Sequence, residues 1–188
     1  MEKKSTKPQG NNQIIIGLVA GVLICGLIGF LTLAGLLFYR FSNTSTTPAS
    51  NKPDIQNITI STFDNQTYKL SDYQGKIIVI NFWASWAKPC EKEAADLERA
   101  WQEYKDDGVL FFGVDYIDTE TEAQAYINKW GITYPNGPDE GTKISQTFRI
   151  SGVPETYIFD KNGKLIKALT GPTDYITLST IIRQSLDK

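Results

Sequence analysis

Side chains that carry nucleophilic or redox chemistry are scarce in this chain: it has two cysteines, Cys25 and Cys90, and no histidine. Without histidine, no Ser-His or Cys-His pair can form, and imidazole cannot ligate a metal. Two cysteines in different surroundings are too few for a thiolate zinc or iron–sulfur site, so no metal and no cofactor is expected. Cys25 sits inside a long apolar run and reads as a small apolar residue. Cys90 sits in Trp83-Ala84-Ser85-Trp86-Ala87-Lys88-Pro89-Cys90-Glu91-Lys92-Glu93. The chemistry open to it is that of a thiol, which reacts as the thiolate. Glu93, three residues on, neighbours Cys90 on the same helix face. By periodicity alone, Glu93 reads as a solvated charge on an acidic helix.

The elements that must position Cys90 are a strand and a helix. Ile77 to Phe82 is an apolar, β-branched run expected to form a buried strand. After a tryptophan-bearing turn and Pro89, apolar residues recur at Cys90, Ala94, Leu97, Trp101 and Tyr104, the spacing of one helical face. Cys90 then falls in the first helical turn, where unpaired N–H groups and the helix dipole favour negative charge. Lys88 adds to that effect, whereas Glu93 and burial oppose it. Helix-end effects are worth ~0.3–1 kcal/mol, less than burial of a thiolate can cost, so Cys90 is expected at or above the ordinary cysteine pKa. Trp86, on the turn, is expected to be partly exposed and to meet a partner.

The string from Trp83 to Glu93 resembles the active-site segment of the TlpA/ResA/DsbE branch of thioredoxin-like proteins, which carries W-C-x-P-C-x-x-E. Everything matches except the first cysteine, which here is Ala87. A second segment, Gly152-Val153-Pro154-Glu155-Thr156, resembles the stretch in which the family has a cis-proline facing the redox site. Its G-x-P-E-T form is that of the cytochrome-c-maturation members. The resemblance implies an α/β, thioredoxin-like fold, a mixed central sheet with helices on both faces. It implies that Cys90 and Glu93 are the catalytic positions, and that Trp86, Val153, Pro154 and Glu155 contact substrate. It further implies that two cysteines cycle between dithiol and disulfide, the first attacking and the second resolving. Cys90 matches the second, and Ala87 leaves the first without a thiol.

The rest of the chain divides into four parts. Residues 1–13 are polar and form a cytoplasmic tail, and Ile14 to Phe38 is an uncharged apolar run of 25 residues, long enough for one transmembrane helix. Residues 39–53 are a polar tether, and 54–188 form the globular domain. Three lysines precede the span and only Arg40 follows closely, so the N-terminus is expected to face the cytoplasm and the domain to be extracytoplasmic, anchored in the cell membrane. Beyond residue 40 there are 15 basic and 20 acidic residues, a formal charge of about −5 that gives no reason to expect nucleic acid as a partner.

Within the domain, a hairpin is expected around Phe63-Asp64-Asn65-Gln66, and a second apolar strand over Val109 to Val114. Helices are expected over Thr121–Trp130, roughly Thr142–Phe148 and Ile176–Leu186, with Tyr134 to Pro138 as a loop. Thr156–Phe159 and Leu165–Leu169 pair through Lys161-Asn162-Gly163.

Together these features point to a membrane-anchored member of the thiol–disulfide oxidoreductase family. Its relatives reduce apocytochrome c or other exported-protein thiols, and a transmembrane thiol reductant upstream would be a further partner. Turnover by two cysteines is expected to be lost or reduced to monothiol chemistry at Cys90. The alternative is a non-enzymatic module that holds cysteine-bearing or extended peptides for an assembly complex. A peroxiredoxin-type peroxidase ranks lower, because no P-x-x-x-T-x-x-C surrounds Cys90.

Overall fold

Seven consecutive buried residues, Ile77 to Trp83, form the central strand of a five-stranded sheet. The computed structural model describes residue 53 and residues 55–187. The expected tail, transmembrane helix and nearly all of the tether lie outside the described residues. Among the described residues no helix is long and apolar enough to cross a membrane.

In chain order the elements begin with a short antiparallel hairpin, β1 (Thr59–Ser61) and β2 (Thr67–Lys69). Then follow β3 (Ile77–Trp83), α1 (Lys88–Tyr104), β4 (Val109–Asp115), α2 (Glu120–Trp130) and β5 (Asn136–Pro138). The chain continues through α3 (Lys143–Phe148), β6 (Glu155–Phe159), β7 (Leu165–Thr170) and α4 (Tyr175–Leu186). The larger sheet has the order β5-β4-β3-β6-β7, with β3, β4 and β5 parallel and β6 and β7 antiparallel.

Side chains along β3 alternate between two cores, as the pleat requires. Ile77, Val79 and Trp83 pack with Ala94 and Leu97 of α1, Tyr126 of α2, and Leu178 and Ile182 of α4. Ile78, Ile80 and Phe82 face the other way, onto Phe112, Phe148 of α3 and Ile60 of the hairpin. Helices therefore cover both faces of a mixed sheet, the thioredoxin-like architecture expected.

The register brings three strand ends to one edge. Trp83 pairs with Asp115, and Phe82 pairs with Glu155, so the ends of β3 and β4 lie beside the start of β6. This is the carboxyl edge of the parallel strands, where α/β sheets place their sites.

Two local expectations need correction. Tyr134 to Pro138 is not all loop: Asn136–Pro138 pairs with Gly113–Asp115 as strand β5. A Gly-Pro-bearing triplet has no alternation to read, and pairing with β4 alone makes it a strand. On α1 the buried face is Cys90, Glu93, Ala94, Leu97, Ala100 and Tyr104, with Trp101 only half-buried. Glu93 and Ala100 lie beside the predicted stripe, and the sheet covers them too.

Candidate functional site

Helix α1 starts without a side-chain cap. Ala87 is its N-cap, in extended conformation, and Pro89 lies in the first turn. Pro89 suits that position because its missing N–H would have no intrahelical partner there. The turn is held by backbone bonds from Ala87 N–H to the Ala84 carbonyl (3.2 Å) and from Cys90 N–H to the Ala87 carbonyl (2.9 Å). Ala87 and Cys90 thus flank a single turn, and both are buried.

Cys90 is fully buried, and its thiol is pushed up to about 12. Burial is the main cause; a backbone hydrogen bond at Ala84 opposes it, and Glu93 and Asp118 add to it. The expected direction holds, but Glu93 contributes less than burial. At neutral pH Cys90 is a protonated thiol enclosed by protein.

Glu93 is not a solvated charge. It is 1% exposed, and each of its oxygens accepts a hydrogen bond: Oε1 from Asn81 Nδ2 (2.7 Å) and Oε2 from Thr173 N–H (2.8 Å). Asn81 Nδ2 also donates to Thr156 Oγ1 (3.0 Å). The carboxyl therefore ties α1 to β3 and to the segment before α4, and Asn81 carries the link on to β6. Burial raises its pKa to about 7 against the lowering effect of those two donors.

The turn between β3 and α1 is braced from the segment after β4. Ser85 donates its N–H to Asp118 Oδ2 (2.6 Å) and its hydroxyl to Oδ1 (2.8 Å). Tyr116 N–H donates to the Trp83 carbonyl (2.7 Å). The two tryptophans separate in role. Trp83 is buried, stacked on Tyr126 at 4.5 Å, with Nε1 donating to Asn136 Oδ1 (2.8 Å). Trp86 is 60% exposed, its Nε1 3.3 Å from the Ile117 carbonyl. Ile117, 61% exposed beside it, has φ +60°, a conformation β-branched residues rarely adopt.

The Val153–Pro154 peptide is cis, as the resemblance implies. Val153 is half-buried and touches both cores, whereas Pro154 is buried and its carbonyl accepts from Gly171 N–H (2.9 Å). Glu155 is turned inward. Its Oε1 accepts from Ser151 N–H (2.8 Å) and its Oε2 from Tyr157 Oη (2.6 Å), so it braces its own segment. Of the residues expected to contact substrate, Trp86 is the one with a large exposed surface.

Reading the sequence missed Asn81, Ser85, Asp118, Asn136, Thr156 and Thr173. Asn81 left a trace, as the single polar residue in the otherwise apolar run Ile77 to Trp83. Ser85 and Thr156 lie inside the two segments that carry the resemblance, but nothing in their residue type marked them. Asp118, Asn136 and Thr173 sit in stretches that read as polar loops without a distinguishing pattern.

A family model described as the AhpC/TSA family matches residues 52–168. The thiol-disulfide oxidoreductase ResA of Bacillus cereus is 27% identical over 160 residues, which is 85% of this chain and 89% of that protein. ResA of Geobacillus thermodenitrificans is 29% identical over 150 residues, 77% of this chain and 84% of that protein. Among solved structures, a putative protein disulfide isomerase from Bacteroides thetaiotaomicron is 28% identical with a TM-score of 0.64, covering 70% of this chain and 86% of that one. StoA from Bacillus subtilis superposes with a TM-score of 0.60 at 19% identity, over 66% of this chain and 95% of StoA, a likeness of fold.

Proposed function

The chain belongs to the AhpC/TSA family of thioredoxin-like proteins, and from that premise we propose that it is a membrane-anchored, extracytoplasmic relative of the thiol–disulfide oxidoreductases. In this reading it holds a cysteine-bearing or extended segment of an exported protein, such as an apocytochrome c, and no longer turns over disulfides by two cysteines. The observation that carries this reading is the pairing of a buried Ala87 with a buried Cys90 across one helical turn. Resolving a mixed disulfide needs a second thiol within bonding distance, and position 87 presents a methyl group. Cys90 is the free cysteine of the described residues, and its raised pKa keeps it from attacking as a thiolate at neutral pH.

The surface for a client survives. Trp86 offers a large, exposed aromatic face next to the turn, held by the Ile117 carbonyl. Glu93, buried with both oxygens hydrogen-bonded, has its pKa raised to about 7 and so changes protonation state near neutral pH. Monothiol exchange at Cys90 is the second reading, favoured by its place in the W-x-x-P-C segment.

Restoring the missing thiol tests the proposal. The full chain should show no turnover on a disulfide-bearing peptide with a reductant supplied. Ala87→Cys should form a disulfide with Cys90 and gain turnover. Equal rates for the two proteins would sink the missing-nucleophile reading. A mixed disulfide trapped on Cys90 of the unmodified chain would move the assignment to monothiol exchange.

A further inference from the structure

We propose that the face formed by the β6–β7 turn, the open edge of β7 and the adjoining side of α4 rests on the anionic phospholipid surface of the membrane that anchors the chain. The inference rests on the membrane-anchored reading above and assigns which side of the domain meets the lipid.

The sequence Lys161-Asn162-Gly163-Lys164-Leu165-Ile166-Lys167 alternates lysines with apolar and turn residues. It runs into β7, the outermost strand of the sheet, which has one edge without a neighbouring strand. Ile166 on that strand is 38% exposed, and Ile176 at the start of α4 is 74% exposed. The other large apolar side chains left this open among the described residues, Trp86 and Ile117, belong to the turn proposed to hold the client. A shallow hollow of about 400 Å³ at the β6–β7 turn and another of about 540 Å³ between β7 and α4 share Ile166 and Ser185. Their charged walls are Lys161, Lys164, Lys167 and Asp160. Asp160 is taken up by the turn, its Oδ1 accepting from the N–H groups of Asn162 and Lys164 (both 2.9 Å). Lys161 Nζ donates to the Leu186 carbonyl (3.0 Å), whereas Lys164 and Lys167 point their charge to solvent. Beyond residue 40 the chain carries about −5 by formal count, so a face with three lysines against one acid stands out from its surroundings.

The place where the chain enters the domain singles out lipid as the occupant. Ile55 is buried against the β6–β7 turn: a Cβ on Gly163 would lie 3.4 Å from Ile55 Cδ1 and 2.8 Å from Gln56 Nε2. The proposed tether, residues 39–53, therefore joins the domain beside these lysines. Even a fully extended tether of that length reaches no more than about 50 Å. Such confinement raises the effective concentration of lipid at this face, so weak contacts suffice. The lysine heads are attracted to headgroup phosphates, while their stems and the two isoleucines enter the boundary with the acyl chains. A second copy of the chain pairing along β7 would bring Lys164 and Lys167 against like charge, the usual way an edge strand resists such pairing. The turn also lies at the far end of the sheet from the site. Phe159, where β6 ends, pairs with Ile78, whereas Glu155 pairs with Phe82 beside the Trp86 turn. With this face on the membrane, Trp86 stays open to a client.

The test uses the full chain in lipid nanodiscs of phosphatidylcholine with and without phosphatidylglycerol. Acylation of each lysine is followed by mass spectrometry. In the anionic discs Lys164 and Lys167 should label at least about fivefold more slowly than in the neutral ones, and high salt should remove the difference. Lys88, at the start of α1, should label alike in both. Lys164→Glu should abolish the protection of Lys167, and Ile166→Ser/Ile176→Ser should reduce it. All three residues are exposed, so the variants keep their fold. Labelling that is equal in the two kinds of disc overturns the inference and leaves the anchor intact, whether it is fast in both or slow in both, as a second copy on β7 would make it. Protection that survives Lys164→Glu overturns it as well. A chain that does not enter the discs overturns the anchored reading, and this inference with it.

Discussion

At the scale of single residues, Glu93 decides more than Cys90. Its pKa is near 7 in the fold against 4.5 for an ordinary glutamate, so the folded state binds the proton more tightly than the unfolded chain does. The stability Glu93 contributes is therefore complete below about pH 4.5 and is lost as pH rises through about 7. At 1.36 kcal/mol per unit, the loss across that window is about 3 kcal/mol. Asp115, raised to about 8, adds a slope of the same sign, so the comparison must be between proteins. Glu93→Gln should remove the Glu93 share, making the variant's urea midpoint less dependent on pH between 4.5 and 7.5 than the parent's. Parallel midpoint curves for the two proteins would show that Glu93 does not titrate in that range.

At the scale of elements, the contact between β4 and β5 supports the turn from below. Gly113 pairs with Asn136, and a Cβ at Gly113 would lie 1.7 Å from Asn136 Oδ1 and 2.8 Å from Trp83 Nε1. Glycine at that point lets the buried Trp83 keep its hydrogen bond. Gly113→Ala should therefore cost about 2–4 kcal/mol, overpacking plus a buried donor left unpaired. Thermal unfolding measures the loss, and a changed tryptophan emission reports the disturbed Trp83. Adding Asn136→Ala removes the clashing side chain and should restore part of the stability. A Gly113→Ala protein that melts with the parent would mean that β5 moves aside freely.

At the scale of the whole molecule, the proposed anchor and the domain make one testable arrangement. Lysines before the apolar run and a polar tether after it place residues 54–188 outside the cell in our reading. Protease added to intact cells should cut within residues 39–53 and release the domain. Full protection until lysis would put the domain in the cytoplasm, away from exported clients.

What the amino-acid sequence determined by itself was what periodicity and short-range spacing encode. The strand from Ile77 follows from a continuous apolar, β-branched run, and the helix that begins at Cys90's turn from a period of 3.6 residues. The thioredoxin-like architecture was implied by the resemblance of the Trp83–Glu93 and Gly152–Thr156 segments. The loss of the attacking thiol is visible as a single letter, Ala87. Tertiary structure alone decided the electrostatics. Glu93 is buried because β3 and the segment at Thr173 close over it, and no helical period distinguishes that from a solvated face. Glu155 turns inward because Ser151 and Tyr157, its chain neighbours, satisfy both of its oxygens. Asp115 is buried because β4 runs between β3 and β5, which pair it with Trp83 and Pro138. Burial depends on which residues meet across the fold, and a pKa depends on burial, so neither can be read until the strands are in register.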